Sequence, residues 1–265
     1  MLFKQIFIDA IADVLKDTKY YLIDDSFYIY KREIGIVICL GFDVLLGGWT
    51  FYIAGGAASF CNNIELLPDH QLAIHCYDVN EYVEKCKCPS IENVNFDKVT
   101  GNPKRYTKAL FIPKLRENIV LLKDRLLPDL LHIESLEDYY RFLVHADRTD
   151  YYIPIPLPSE NTFFLCISLK KIREASHVYL LMLKQDDPAI NSINQCMQLE
   201  SEDIIFDALR QAASGAVSNK EAYTKIEDQA QIIEDMLRKH QNLLEIELQR
   251  RITNSREICE RYFSE

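Results

Sequence analysis

The chain has 265 residues, of which 48% are hydrophobic and 26% are charged, and this composition excludes an intrinsically disordered protein. Its length is sufficient for one large hydrophobic core or two modest ones. The formal net charge of −10 at pH 7 disfavours nucleic-acid binding, because an acidic surface repels phosphates, and it favours a basic partner.

The first segment, MLFKQIFIDAIADVL, has apolar residues at helical spacing and predicts an amphipathic helix. Asp9 and Asp13 interrupt its apolar run, so the segment does not have the form of a signal peptide. No window approaches 18 continuous apolar residues, so we expect no membrane-spanning helix. Eight irregularly spaced cysteines in such a chain indicate reduced thiols and a cytoplasmic protein.

Four runs rich in aromatic and branched residues follow, and they predict β-strands. These runs cover residues 20–23, 27–31, 34–46 and 49–54. The pair Gly47-Gly48 predicts a tight hairpin turn, and Gly55-Gly56 predicts a second turn or a bulge. A helix that leads into an antiparallel meander predicts an α+β fold.

The segment HCYDVNEYVEKCKC combines one histidine with three cysteines, His75, Cys76, Cys86 and Cys88. Structural zinc sites usually space two cysteines by two to four residues, whereas Cys86 and Cys88 are separated by one. Three interpretations stay open: a zinc site, a reactive thiol, and the favoured one, free thiols in ordinary packing. On the favoured interpretation the protein holds no metal and no cofactor.

Helical spacing returns at residues 115–131, with a kink or an end expected near Pro128. Ser135 is predicted to cap the next helix, LEDYYRFLVHAD. The alternating prolines of YYIPIPLPSE predict an extended connector, which divides an α+β domain at 1–150 from a region at 160–265.

In the second region, the apolar runs at 162–169 and 177–184 predict buried strands. Two helices are predicted at 188–199 and 203–213.

Residues 216–263 predict one long amphipathic helix, because no Gly or Pro interrupts them and their apolar residues follow a heptad spacing. The residues at this spacing, here called the seam, are Ile226, Ala230, Ile233, Leu237, His240 and Leu244. After Leu244 the spacing changes to four residues, at Leu248 and Ile252. Pairs such as Glu234 with Arg238 and Glu247 with Arg251 are expected on the polar faces. The helix either packs on its own chain or forms a homodimer.

Signatures of nucleotide-binding loops, zinc proteases and serine hydrolases are absent from the sequence. Asp24 and Asp25 are interpreted as a turn, and the single tryptophan, Trp49, as a core residue. For the two aspartates the alternatives are a metal or catalytic dyad and a contact with a basic partner, and for Trp49 the alternative is an exposed anchor for that partner.

The segments FKQIFIDAIADVL and LLKDRLLPDLLHIESLEDYYRFL resemble a bacterial family of uncharacterised α/β domains that occur beside toxin systems. The resemblance covers residues 1–150 and carries no functional residue. It implies an immunity-type protein that neutralises a basic toxin by occlusion. The alternatives are a metal- or thiol-dependent enzyme that uses residues 70–88 and a scaffolding protein that dimerises through its C-terminal helix.

Overall fold

The computed structural model describes residues 2–23, 25–45, 50–59, 76–78, 108–146, 159–199 and 219–263. The chain divides into two compact units. The first, here called the sheet unit, contains Met1–Phe142 together with Arg256–Glu265, and the second, the helical unit, contains Leu143–Ser255. The domain division predicted at residues 151–158 stays a prediction, because that connector lies outside the described residues.

The sheet unit begins with helix α1 (Leu2–Val14), and an antiparallel sheet follows. Its strands are β1 (Tyr21–Ile23), β2 (Ser26–Lys31), β3 (Ile36–Leu45), β4 (Thr50–Ser59) and β5 (Cys76–Asp78), paired in chain order. The predicted α+β layout, a helix followed by an antiparallel meander, is confirmed.

The two faces of the sheet pack against different helices, because alternate side chains of a strand point to opposite faces. On one face, Phe7 of α1 contacts Phe27 and Phe42, with ring centroids 6.0 and 5.7 Å apart. On the other face, Tyr28, Val37 and Cys39 form a core cluster with Cys259 and Phe263. Residues 256–263 therefore complete the sheet unit from the far end of the chain.

The prediction of a turn or bulge at Gly55-Gly56 is wrong. Both glycines lie inside β4, where Gly55 pairs with Leu40 on one side and Tyr77 on the other. A β-carbon at Gly55 would lie 3.0 to 3.1 Å from methyl groups of Leu130, Leu126 and Leu40. Glycine is thus required because a helix packs very close to the strand backbone here. Gly47 and Gly48 lie outside the described residues.

We expect Gly55→Ala to lower the free energy of unfolding by about 1–3 kcal/mol, because three leucine side chains must move to admit a methyl group. Chemical denaturation of the purified variant measures the change. Gly41→Ala is the matched control, since its β-carbon meets only the Ser26 hydroxyl, at 3.3 Å. Equal stability for the two variants would contradict the close approach at Gly55.

Helix α2 (Lys108–Leu121) continues through a π-helical turn (Leu122–Leu126) into α3 (Leu127–Leu131). In place of the kink or end predicted near Pro128, the structure has a π-helical turn just before the proline, and the chain stays helical to Leu131. The N–H of Leu127 donates to the carbonyl of Leu122, five residues earlier, which accommodates a proline that has no N–H and would crowd the preceding turn. The cap at Ser135 is confirmed, because its hydroxyl accepts from the N–H of Asp138 at the start of α4 (Leu136–Ala146).

The strands predicted at 162–169 and 177–184 are wrong, because both segments are helical. Helix α5 (Glu160–Ser168) is capped by Ser159, whose hydroxyl accepts from the N–H of Thr162, and α6 is Ile172–Lys184. Long stretches of both helices are buried on every side, so their sequences show a continuous apolar run instead of a helical stripe. The helix predicted at 188–199 is confirmed as α7 (Ala189–Cys196), and residues 203–213 lie outside the described part.

Three consecutive helices of the helical unit end in a residue with positive φ that is not glycine. These residues are Lys170 (φ 58°), Asp186 (φ 51°) and Gln198 (φ 56°). In each case the residue after the positive-φ residue donates its N–H to the carbonyl five residues before it. An example is the hydrogen bond of 2.9 Å from the Lys171 N–H to the Cys166 carbonyl. The left-handed conformation at these positions normally favours glycine.

We expect Lys170→Gly to raise the free energy of unfolding by about 1 kcal/mol, because glycine relieves the strain of a left-handed residue at the helix end. Thermal and chemical unfolding measure the gain. Lys171→Gly, one position later and without positive φ, is the control and is expected to give no gain. A loss of stability in Lys170→Gly would contradict the assignment.

The helix predicted over 216–263 is observed as two consecutive helices, α8 (Asn219–Lys239) and α9 (Gln241–Phe263). The interruption lies at His240, where a polar imidazole takes a seam position. The seam residues Ala230, Ile233, Leu237, Leu244 and Leu248 are buried in the single chain, and α8 packs on α6.

The buried stripe of α9 continues through a residue that the heptad pattern did not predict. Arg251 is buried in place of Ile252, and Ser255, Cys259 and Phe263 follow on the same stripe. Two of the charge pairs predicted on these helices form, between Glu234 and Arg238 and between Glu247 and Arg251. The second pair is buried, not exposed, because another carboxylate and an aromatic ring enclose the arginine.

Candidate functional site

Most side chains of the predicted site residues lie outside the described part of the chain. This holds for His75, Cys86, Cys88, Asp24 and Trp49, and Cys76 is described only as the backbone start of β5. The metal and thiol interpretations of residues 70–88, and the role of Trp49, therefore stay predictions.

Asp25 occupies the connection between β1 and β2. Ile23 pairs with Ser26, so positions 24 and 25 alone lie between the strands, and Asp25 has φ 65°. The predicted turn is confirmed at this residue. Its carboxylate accepts a hydrogen bond of 2.9 Å from the Lys4 ammonium, and both side chains are about half exposed. The charge of Asp25 is thus already paired with a cation of the same unit.

A cleft of about 550 Å³ lies in the sheet unit, between the β1–β2 end of the sheet and the last turns of α9. Its lining combines three aromatic side chains, two cations and two carboxylates. These are Tyr21, Tyr30, Phe263, Lys19, Arg32, Glu33 and Glu260. We call it the aromatic cleft.

Phe263 is the centre of the aromatic part of the cleft. Its ring centroid lies 5.1 Å from that of Tyr21 and 5.6 Å from that of Tyr30. The Tyr21 hydroxyl donates a hydrogen bond of 2.6 Å to the Phe263 carbonyl and so ties the end of α9 to β1. Ring faces carry partial negative charge and attract cations, and the Lys19 ammonium lies 5.6 Å from the centroid of Tyr21.

The charged groups of the cleft lie at its exposed side. Arg32 donates to Glu260 over 2.7 Å, with 69% and 41% of the two side chains exposed. Exposed pairs of this kind contribute little to stability and exchange readily with other partners. Glu33 makes no hydrogen bond or salt bridge with any residue that the structure describes.

The Tyr30 hydroxyl is buried and has no hydrogen-bond partner within the described residues. Burial raises the pKa of Tyr30, and the Cys259 thiol and the Glu260 carboxylate raise it further. The phenol therefore stays protonated at neutral pH and keeps a donor available. A buried polar group without a partner costs about 1–3 kcal/mol.

The aromatic cleft has the chemistry of a binding site. None of its seven lining side chains is a nucleophile with a neighbouring base. Ring faces with carboxylates beside them bind cationic groups. The sequence contains no local signal for this site, because Tyr21 and Phe263 are 242 positions apart.

A second cluster of charges lies in the helical unit around Arg251, whose side chain is 2% exposed. Its guanidinium donates to Glu160 at 2.5 Å and to Glu247 at 2.8 Å, and it lies 3.9 Å from the ring centroid of Phe164. A hydrogen bond from Arg250 holds the pKa of Glu247 below its usual range. The paired charges and the complete enclosure indicate a structural role for this cluster.

Two free cysteines in the described part of the chain, Cys166 and Cys196, are not poised for reaction. Burial raises the pKa of Cys166 and of Cys196, so both stay thiols at neutral pH. Cys39 and Cys166 are buried in apolar surroundings, as their sequence context predicts. Among the residues that the structure describes, no three His, Cys, Asp or Glu side chains form a group that could hold a metal ion.

Neither a protein-family profile, nor a curated protein, nor a solved structure matches this chain. Within the residues that the structure describes, no helix is long and apolar enough to cross a membrane.

Proposed function

We propose that this protein is a non-catalytic binding protein of the immunity type, which neutralises a basic protein toxin by occlusion. The observation that carries the proposal is the aromatic cleft, in which ring faces and carboxylates form a receptor for cationic groups. A chain with a formal net charge of −10 attracts a partner of the opposite sign.

Exposed carboxylates on α1 and in the turn after it also support a basic partner. Asp9 and Asp13 of α1 and Asp17 of that turn follow each other at four-residue intervals, and all three are exposed. Like charges at this spacing oppose each other, and Asp13 lies in the last turn, at the negative end of the helix dipole. These positions therefore weaken the helix, and a basic partner would offset the cost.

In the proposed mechanism, the acidic surface accelerates encounter, and the aromatic cleft holds a basic side chain of the toxin. The bound protein then covers the functional surface of the toxin. Steering by charge predicts that the association rate falls as ionic strength rises.

Co-expression tests the proposal. Each gene beside the coding sequence is expressed in a bacterial host, alone and with this protein, and growth is measured. We expect one neighbour to be toxic alone and harmless in the presence of this protein. If no neighbouring product is toxic, or if toxicity persists on co-expression, the proposed function is wrong.

A matched pair of variants tests the place of binding. Glu33→Lys with Glu260→Lys reverses both carboxylates of the cleft and is expected to abolish protection. Asp235→Lys with Glu245→Lys makes the same change of charge at exposed positions of the helical unit and is expected to retain it. If the cleft variant still protected the host, the toxin would not bind at the aromatic cleft.

The two alternatives receive no support from a described contact. An enzyme that uses residues 70–88 would depend on side chains outside the described part, and zinc analysis of the purified protein tests it. A scaffold that dimerises through the C-terminal helices would need the seam of α8, which is buried in the single chain.

A further inference from the structure

The helical unit shows how this protein binds a guanidinium group. Arg251 lies over the ring of Phe164 at 3.9 Å and donates to two carboxylates, those of Glu160 and Glu247. The planar guanidinium suits this arrangement, because it stacks on a ring while its edge donates to oxygens. An aromatic face with two carboxylates beside it is thus an arginine site in this fold.

The aromatic cleft contains aromatic rings and two carboxylates as well, together with a second cation, Lys19, over the Tyr21 ring. The rings of Tyr21, Tyr30 and Phe263 form its apolar part, and Glu33 and Glu260 supply two carboxylates. Arg32 forms a salt bridge of 2.7 Å with Glu260, and the Arg32 side chain is 69% exposed. Arg251, by contrast, is 2% exposed. The cleft therefore has the groups of an arginine site, and its own arginine lies at the rim.

We propose that the aromatic cleft is a receptor for an arginine side chain of the partner, and that Arg32 is an internal competitor for Glu260. The incoming guanidinium takes the place of Arg32 on Glu260, and Arg32 turns into solvent. Glu33 lies beside Arg32 in the chain and provides the second carboxylate. The inference rests on the proposed function, since it identifies the group by which the basic partner binds.

Competition predicts opposite effects for the two members of one salt bridge. Removal of Arg32 frees Glu260, so an arginine ligand binds more tightly. Removal of the Glu260 charge takes away the acceptor, so the same ligand binds more weakly. A salt bridge that only stabilises the fold would give the same direction of effect for both variants, because each of them breaks it.

Titration with capped tripeptides Gly-Arg-Gly, Gly-Lys-Gly and Gly-Glu-Gly tests the inference on the full chain at low ionic strength. Binding is followed by NMR through the tyrosine ring signals. We expect binding in the order arginine, then lysine, with none for glutamate. Arg32→Ala is expected to tighten arginine binding by up to about fivefold, which is the range of an exposed ion pair, and Glu260→Gln to weaken it at least as much.

The control is Arg238→Ala, which also removes one exposed arginine from a salt bridge but lies in the helical unit. It makes the same change of net charge, so its arginine affinity is expected to equal that of the parent. Circular dichroism and thermal unfolding establish that each variant is folded before it is titrated.

Three outcomes would overturn the inference: no binding of the arginine peptide, preference for the glutamate peptide, or weaker arginine binding in Arg32→Ala. Its failure is separable from failure of the proposed function. Protection on co-expression without arginine-peptide binding would leave an immunity protein with another mode of contact. Arginine-peptide binding without any neutralised toxin would leave a cation receptor with another role.

Discussion

Replacing Glu160 by alanine is expected to lower the free energy of unfolding by about 3 kcal/mol, because it takes one of two carboxylates from the buried Arg251. The guanidinium would keep its salt bridge with Glu247 and lose the 2.5 Å salt bridge with Glu160. A buried charge that loses a partner bears the cost of desolvation without the compensating attraction. The effect is measured by chemical denaturation at pH 7.

A double-mutant cycle separates the buried pair from other roles of Glu160, which also lies in the first turn of α5. Arg251→Met alone is expected to destabilise, and the double variant with Glu160→Ala to lose less than the sum of the two single changes. Arg238→Ala breaks an exposed pair and serves as the reference, with an expected loss of at most about 1 kcal/mol. Additive losses in the cycle would contradict coupling between Arg251 and Glu160.

Phe263→Ala is expected to lower the free energy of unfolding by about 3–5 kcal/mol, since the ring is 5% exposed and contacts three tyrosines of the sheet. The cavity left behind would detach the end of α9 from the face that carries Tyr28, Val37 and Cys39. Denaturant unfolding measures the loss, and tyrosine fluorescence reports the change at the sheet.

Two controls assign that loss to packing. Phe263→Leu keeps an apolar side chain of similar volume and is expected to lose less than about 1.5 kcal/mol. Tyr21→Phe removes only the hydrogen bond to the Phe263 carbonyl and is expected to cost about 1 kcal/mol. An alanine variant as stable as the leucine variant would show that the end of α9 is not anchored by this ring.

Local signals in the sequence were enough for the elements that depend on local physics. The apolar spacing of α1, the aromatic runs of the meander and the cap at Ser135 each predict the observed element. The apolar run at 162–169 was misread as a strand, because complete burial removes the periodicity that distinguishes a helix from a strand.

The remaining errors concern packing between distant segments. Gly55-Gly56 predicts a turn or a bulge because glycine is common at both, whereas the glycine at position 55 is needed because Leu126 and Leu130 lie against the strand. Arg251 was placed on a polar face because its partner Glu247 is four positions away, and the second partner, Glu160, is 91 positions away. The aromatic cleft was missed for the same reason.

The sheet unit is built from two distant segments of the chain, and this affects how the protein folds. Tyr28, Val37 and Cys39 lack the contacts of Cys259 and Phe263, which complete their cluster, until residues 256–263 have been synthesised. The whole helical unit is made in the interval. Contacts of such long sequence separation form slowly, since a large loop must close before they contribute. During synthesis the apolar cluster of the nascent sheet therefore stays incomplete until the last residues of the unit arrive, and partly formed states of this kind are prone to aggregation.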